Sequence, residues 1–471
     1  MVLPARPMTD RQAFYEQQAP ARSRANRRTY HRLLERHYAF LVPRGARVLE
    51  LGCGLGDLLA AVRPARGVGV DFSPATIAQA RQRHPDLEFE VADAAGWTSA
   101  ERFDYLLLSD LVNDLEDVQA VLERALRWAG PRTRLVLNFY NTLWRPVLGV
   151  AEALGLKART LLQNWLSEGD MRNLLHLAGW EVIRGETRLL WPMTTPLAAT
   201  LLNRWLAPLA PPLCLTIFQI ARPKPADPAG RHYRCSVVIP ARNEAGNIAA
   251  AVRRTPRLGL GTELIFVEGH STDNTWEEIQ RVAAAQPAGT IQVLKQRSKG
   301  KGGAVREGFA AATGELLFIL DADLTVPPEE LTKFYEVARG GTGEFVNGVR
   351  LVYPLAQDSM QFLNMVANKA FGWAFSWLLG QGIKDTLCGT KVLFRADYEA
   401  LAAQRAYFGE FDPFGDFDLL FGAAKLNLRI VDLPIRYRAR TYGATNIHRW
   451  KHGWLLCRMV WFAARRLKFL A

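Results

Sequence analysis

The chain has 471 residues, of which 49% are hydrophobic and 22% charged. That composition excludes a disordered chain, and the length calls for about two domains, each burying its own core. The net charge of +13 sits at the ends: residues 1–48 carry +7, residues 433–471 carry +9 without an acid, and the rest carries −3. Basic ends suit an anionic membrane, a nucleic acid or a phosphate-bearing substrate. Cys53, Cys214, Cys235, Cys388 and Cys457 lie far apart with no C-x-x-C, which argues against a disulfide scaffold or zinc site and fits a reducing cytosol. No secretory signal pattern follows Met1.

Arg47–Leu51 reads as a short buried strand running into Gly52-Cys53-Gly54-Leu55-Gly56-Asp57 and then a helix. Alternate glycines let the backbone turn tightly and approach a ligand without Cβ clashes. The next strand, Val68–Asp71, ends in a carboxylate nineteen residues after Gly52, where an acid can accept hydrogen bonds from ribose hydroxyls. Ser73 and Pro74 then read as the cap and first residue of a second helix. Asp93 follows a third strand, Phe103–Asp110 is a fourth and Leu135–Phe139 a fifth. A glycine-rich turn alone also occurs in nicotinamide and flavin proteins. With the strand-end acids in order, the run from Glu50 to Asn141 resembles the class I S-adenosylmethionine-dependent methyltransferases, over about residues 30–222.

That resemblance implies that Glu50, Gly52, Gly54 and Gly56 hold the methionine moiety, Asp71 the ribose and Asp93 the adenine region, with Ser109 between cofactor and acceptor. Asp110, Asn113, Asp114, Tyr140 and His176 are candidate bases, and spacing does not choose among them. His176, in NLLHLAGW, reads as a packed helical residue.

Residues 189–220 are apolar but broken by five prolines, so they do not read as a membrane span. Residues 221–234 (ARPKPADPAGRHYR) have no apolar period and read as a linker. The expected division is a first domain over 1–222, a linker over 223–234 and a second domain over 235–471. Each half repeats strand, glycine-rich or acidic turn, helix, so two α/β domains in series are expected, each around a mostly parallel sheet.

In the second half, strand Ser236–Pro240 precedes Ala241-Arg242-Asn243-Glu244, and strand Leu264–Val267 precedes Glu268 and Asp273. Ser271 and Asp273 also suit helix capping. Lys299–Gly303 (KGKGG) lacks the P-loop spacing. The apolar Glu315–Leu320 ends in Asp321-Ala322-Asp323, two carboxylates that offer oxygen ligands to Mg²⁺ or Mn²⁺. Together with Lys384–Lys391 (KDTLCGTK), Gly415–Asp418 (GDFD) and Arg436–Asn446, this set resembles the family 2 inverting glycosyltransferases, and within them the dolichyl- or polyprenyl-phosphate sugar synthases, over about residues 235–450.

The resemblance implies a nucleotide-diphospho-sugar transferase (GT-A) fold beside a Rossmann-like first domain. It implies that Pro240, Ala241 and Glu244 line the nucleotide, and that Glu268 and Asp273 serve base and ribose. Asp321 and Asp323 bind metal and diphosphate, Asp416 or Asp418 is the acceptor-side acid, and Arg438, Arg440 and Asn446 flank a phosphate-holding loop. Gly269 stands where the family often has a second aspartate, so UDP and GDP both remain open.

Residues 360–383 and 453–471 are too interrupted to span a membrane, but Trp and Phe alternate with bases in the last segment. Such a helix lies in a membrane interface or packs on its own domain. The reading is a bifunctional transferase: a methyltransferase with an unknown acceptor, and a glycosyltransferase moving sugar from a nucleotide-sugar to a polyprenyl phosphate or glycan. It is peripheral on the inner face of the membrane, alone or with a membrane protein. The alternative is a glycosyltransferase whose first domain binds cofactor only as a regulator or scaffold. No recognition helix, zinc motif or aromatic-basic repeat specifies nucleic acid.

Overall fold

A computed structural model describes residues 11, 13–15, 29–155, 157, 160–193, 195–350, 352, 362–407, 417–440, 442 and 449–469. The chain divides into two compact units, residues 1–224 with 469–471, and residues 225–468.

The first unit is built on β1 (Arg47–Leu51), β2 (Arg66–Asp71), β3 (Glu88–Val91), β4 (Phe103–Ser109), β5 (Ala129–Tyr140), β6 (Trp180–Arg188) and β7 (Thr216–Pro223). Their order is β3-β2-β1-β4-β5-β7-β6. The first five run parallel, and β7 pairs antiparallel with both β5 and β6. The sheet is therefore mixed, because part of the proline-broken apolar stretch becomes β7, buried along almost its whole length. Apolar clusters form on both faces, one around Leu106, Trp128 and Trp180, the other around Tyr38, Val48 and Phe218.

The second unit carries β8 (Arg234–Ala241), β9 (Gly261–Glu268), β10 (Ile291–Lys295), β11 (Leu316–Ile319), β12 (Phe345–Val349), β13 (Lys391–Phe394) and β14 (Ile430–Pro434). The order is β10-β9-β8-β11-β13-β12-β14. β8 to β11 are parallel, and β13 is antiparallel to β11 and β12. Val237, Phe266, Phe318 and Phe334 anchor its core.

The KDTLCGTK segment is held by buried polar contacts. Arg350 makes a two-pronged ion pair with Asp385, Nε to Oδ2 at 2.7 Å and Nη2 to Oδ1 at 2.9 Å. Asn368 Nδ2 donates to the same carboxylate at 3.1 Å. The fully buried Lys391 donates to Asn347 Oδ1 (3.0 Å) and to the Cys388 carbonyl (2.6 Å). Burial raises the Asp385 pKa, but the Arg350 charge and hydrogen bonds outweigh it and leave the carboxyl at about 2.

Because that pKa is depressed in the fold, Asp385 stabilises the second unit above the unfolded value of about 4. That contribution, about 2 kcal/mol, is lost as pH falls through about 2. Acid titration of the wild type followed by circular dichroism should show this loss, and Asp385→Asn should flatten it. At pH 7 the same substitution leaves Arg350 buried without its counter-charge, and should cost about 3–5 kcal/mol in denaturant unfolding.

Candidate active sites at the strand ends

In the first unit the glycine turn leaves the C-terminal end of β1. Gly52, Gly54 and Gly56 all have positive φ, at 68°, 52° and 75°. A Cβ on Gly52 would lie 2.7 Å from Leu111 Cδ1, and one on Gly56 would lie 2.5 Å from the Phe89 ring. A Cβ on Gly54 would meet nothing within 4 Å, so that position faces open space. Asp71 closes the turn: Oδ2 accepts from the Gly54 N–H and Oδ1 from the Ser73 N–H, both at 3.0 Å. Ser73 caps the helix Pro74–Arg83 by accepting from the Thr76 N–H. Glu50 is buried, its Oε2 has no hydrogen-bond partner, and burial holds its carboxyl well above the usual range. Asp93 follows β3, half-buried, and its carbonyl accepts from the Gly96 and Trp97 N–H groups. Ser109 ends β4.

Asp110 has a φ of 55° and receives Tyr30 Oη at 2.9 Å and Asn138 Nδ2 at 2.5 Å on Oδ1. Tyr38 Oη donates to Asn138 Oδ1 at 2.7 Å. Burial pushes the Asp110 carboxyl up to about 7, against the lowering effect of Tyr30 and Asn138. The buried Asn113 donates to the Asn164 carbonyl and accepts from the Tyr140 N–H. Asp114 accepts from Tyr15 Oη at 2.7 Å. His176 is exposed rather than packed, with its carbonyl accepting from Lys224 Nζ.

In the second unit, parallel β8, β9, β10 and β11 bring their C-terminal ends to one edge. Asp321 and Asp323 follow β11. Lys301 Nζ lies 2.7 Å from Asp321 Oδ1. Arg440 bridges Asp323 Oδ2 (2.7 Å) and Glu244 Oε1 (3.1 Å). Glu244 also accepts from Asn247 Nδ2 at 2.7 Å, and burial raises its carboxyl. A Cβ on Gly389 would lie 2.1 Å from Asp321 Oδ2 and 2.2 Å from Lys301 Nζ, so the KDTLCGTK loop presses its backbone against this pair. Pro240 and Ala241 end β8, and the Ala241 carbonyl accepts from the Gly269 N–H at 2.8 Å. The Glu268 carboxylate accepts from the Ser271 N–H. Asp273 accepts from both the N–H and the hydroxyl of Thr275, at the start of the helix Thr275–Ala284. Asp418 is paired with Arg405 at 3.4 Å and Arg306 at 4.0 Å. Arg438 is exposed and donates its N–H to the Thr325 carbonyl. Asp416 and Asn446 lie outside the described residues.

Residues 236–403 match the family model described as glycosyl transferase family 2, and residues 18–184 match one described as a methyltransferase domain. The chain joins a methyltransferase domain to a family 2 glycosyl transferase domain. A dolichol-phosphate mannosyltransferase of Pyrococcus furiosus is 35% identical over 111 residues, 23% of this chain and 31% of that protein. An undecaprenyl-phosphate 4-deoxy-4-formamido-L-arabinose transferase of Klebsiella pneumoniae is 28% identical over 216 residues, 45% of this chain and 61% of that protein. The chain thus spans less than two thirds of the length of either curated relative. A UDP complex of glucosyl-3-phosphoglycerate synthase from Mycobacterium tuberculosis aligns at 21% identity with a TM-score of 0.38, over 51% of this chain and 81% of that one.

Several site residues of the two domains escape sequence reading. Lys301 sits in the KGKGG run, where Gly303 serves packing in the glycosyl transferase domain: a Cβ on it would lie 2.0 Å from Ser298 Oγ. Gly269 lies beside Gln296, whose Oε1 would be 3.0 Å from a Cβ there. In the methyltransferase domain, Tyr30 and Asn138 reach Asp110 from 80 and 28 residues away in sequence. No local signal marks these partners.

The glycine turn gives a stability test. Gly54→Ala should carry only the left-handed backbone cost, about 1–2 kcal/mol. Gly56→Ala should cost more in denaturant unfolding of the methyltransferase domain, because it adds a collision with Phe89.

Proposed function

We propose that the chain is a bifunctional transferase. Its second domain moves a sugar from a nucleotide-sugar to a polyprenyl phosphate or related glycan with inversion, and its first transfers methyl from S-adenosylmethionine. The observation that carries the first activity is the Asp321–Asp323 pair at the β11 edge, bracketed by Lys301 and Arg440. Among the described residues no three His, Cys, Asp or Glu side chains are grouped to hold a metal. Two carboxylates and the oxygens of a diphosphate fit Mg²⁺ or Mn²⁺, which take such mixed ligand sets. Bound there, the ion supplies charge for the departing nucleoside diphosphate. Lys301 and Arg440 neutralise the two aspartates and, in this reading, turn toward the diphosphate when donor and metal arrive. Glu244, Glu268 and Asp273 line the nucleotide side, with Pro240 and Ala241 at its floor, and Arg438 and Asn446 complete the phosphate loop.

An acceptor phosphate is already ionised near neutral pH, so the acceptor side needs little proton transfer. Asp416 or Asp418 serves there to orient, and the two arginines on Asp418 suit that part better than a base. The names of the two curated relatives, both polyprenyl-phosphate transferases, support the lipid acceptor.

Peripheral attachment to the inner face of a membrane is supported by the helix Arg449–Leu467. Leu456, Met459, Ala463 and Leu467 are buried, while Trp454, Arg458, Trp461 and Arg465 form an exposed stripe. Trp373 of the neighbouring helix Phe362–Leu379 is 82% exposed. Indole rings alternating with guanidinium groups suit an anionic lipid interface. Among the described residues no helix is long and apolar enough to cross a membrane.

The methyl-transfer reading rests on the glycine turn closed by Asp71, with Gly54 facing open space. The methionine ammonium is the natural partner for the unpaired Glu50 oxygen. Asp93 lies on the adenine side, and Ser109 lies between cofactor and acceptor.

Sugar transfer is tested with purified protein, Mg²⁺ or Mn²⁺, radiolabelled UDP- and GDP-sugars and a short polyprenyl phosphate. Label should enter the lipid phase with one donor, and Asp321→Asn or Asp323→Asn should lower it by at least about a hundredfold. Label confined to soluble products would overturn the lipid acceptor. Separately, replacing Trp373, Trp454 and Trp461 with serine should abolish sedimentation with anionic vesicles while leaving transfer to a detergent-dispersed acceptor intact.

A further inference from the structure

The methyl-transfer reading leaves the acceptor and its base undefined, and the turn after β4 narrows both. β1 and β4 are parallel neighbours, with Glu50 opposite Leu107. Leu111 packs so close to the glycine turn that a Cβ on Gly52 would meet it at 2.7 Å. Asp110 is therefore the residue immediately before a direct contact with the cofactor turn. The position is a built one, not only an acidic cluster: Glu50, whose Oε2 lacks a partner, sits on the neighbouring strand, the glycine turn packs on the same segment through Leu111, and Tyr30 and Asn138 hold the carboxylate from two other elements.

We propose that Asp110 takes the proton from the methyl acceptor, and that this acceptor is a neutral nucleophile, a hydroxyl or an uncharged amino group, and not an anion. The proposal rests on the methyl-transfer reading above.

The carboxylate is held in place yet retains acceptor capacity. Oδ1 receives Tyr30 Oη and Asn138 Nδ2, and Oδ2 receives a longer contact from Tyr30 at 3.1 Å, whereas a carboxylate offers about four lone-pair directions. The other candidates are committed or distant. Asn113 is an amide with both ends bonded, and Asp114, which receives Tyr15 and Gln163, also has the Arg11 guanidinium on its own carbonyl, which disfavours uptake of a proton. Burial raises the Tyr140 hydroxyl well above its usual value, so it keeps its proton. His176 is exposed on another helix.

The surroundings set the acceptor class. Tyr30 and Tyr140 lie 6.2 Å apart between ring centres, and Tyr140 and Trp165 6.3 Å, all half-buried. Such rings pack on an uncharged ring or a cation. The charged group facing Asp110 is Asp114, in the same turn. Tyr30 and Tyr38 face it from the helix Thr29–Leu41, and Tyr140 from β5. Two neighbouring carboxyl groups, Asp110 and Asp114, disfavour an anionic acceptor. A carboxyl raised to about 7 is matched to accepting a proton near neutral pH.

In the step, the acceptor oxygen or nitrogen forms a bond to the methyl carbon while the carbon–sulfur bond breaks with its electron pair going to sulfur. The acceptor proton passes to Asp110 and then to solvent.

The test uses the full chain, labelled S-adenosylmethionine and a panel of hydroxyl-, amino-, carboxylate- and phosphate-bearing acceptors, including the sugar product of the second domain. Calorimetric binding of S-adenosylhomocysteine is the second readout. Asp110→Asn should lower methyl transfer by about 10²–10⁴-fold and leave calorimetric binding unchanged. Tyr30→Phe removes a hydrogen bond that lowers the Asp110 pKa, so the acidic limb of the rate profile should move to higher pH. Wild-type turnover in Asp110→Asn, an unmoved limb in Tyr30→Phe, methylation of anionic acceptors alone, or cofactor binding with no acceptor methylated would each overturn the proposal. Absence of cofactor binding by the wild type would instead remove the methyl-transfer reading itself.

Discussion

Parallel pairing is the constraint on which both domains depend. When β1, β2, β4 and β5 run side by side in one direction, every chain segment leaving their C-terminal ends must emerge at one edge of the sheet. The glycine turn, Asp71, Ser109 and Asp110 are separated by up to about sixty residues of sequence, and this pairing alone brings them together. The second domain obeys the same rule through β8 to β11, whose ends carry Ala241, Glu268, the Gln296 turn and Asp321. An antiparallel sheet of the same residues would send alternate turns to opposite edges and dissolve both sites.

The two sites handle unpaired charge in opposite ways. In the glycosyl transferase domain each aspartate of the D-x-D pair already has a cationic partner, Lys301 or Arg440. Neither partner is deeply buried. In the methyltransferase domain Glu50 has no such partner and its charged form is held off by burial. Charge that must be buried permanently is treated differently again. Asp385 and Arg350 form a two-pronged pair with added hydrogen bonds, the arrangement in which a buried ion pair is tolerated.

The helix Arg449–Leu467 shows how one segment serves packing and surface at once. Its apolar residues at near-helical spacing are shared between two faces, one turned into the second domain and one carrying tryptophan and arginine outward. A hydrophobic count over the segment cannot separate these faces, since Trp adds to it on either side.

The sequence by itself determined the two-domain α/β organisation, the glycine turn, the capping of Pro74–Arg83 and the carboxylates after β11. Each of these is written locally, as strand-length apolar runs ended by glycine or acid. Tertiary structure decided the rest. Apolar character in 216–223 is compatible with a core helix or a strand, and only its place between β5 and β6 selects the strand. Lys301 and Gly389 meet at Asp321 although neither run names the other. Gly269 stands beside Gln296, which comes from a different strand end. Asp110 and Asp114 look alike in the sequence, and only Tyr30 and Asn138, arriving from another helix and another strand, distinguish them. Backbone geometry is encoded over a few residues, whereas the environment of a carboxyl is fixed by partners that only the packed sheet brings within hydrogen-bonding range.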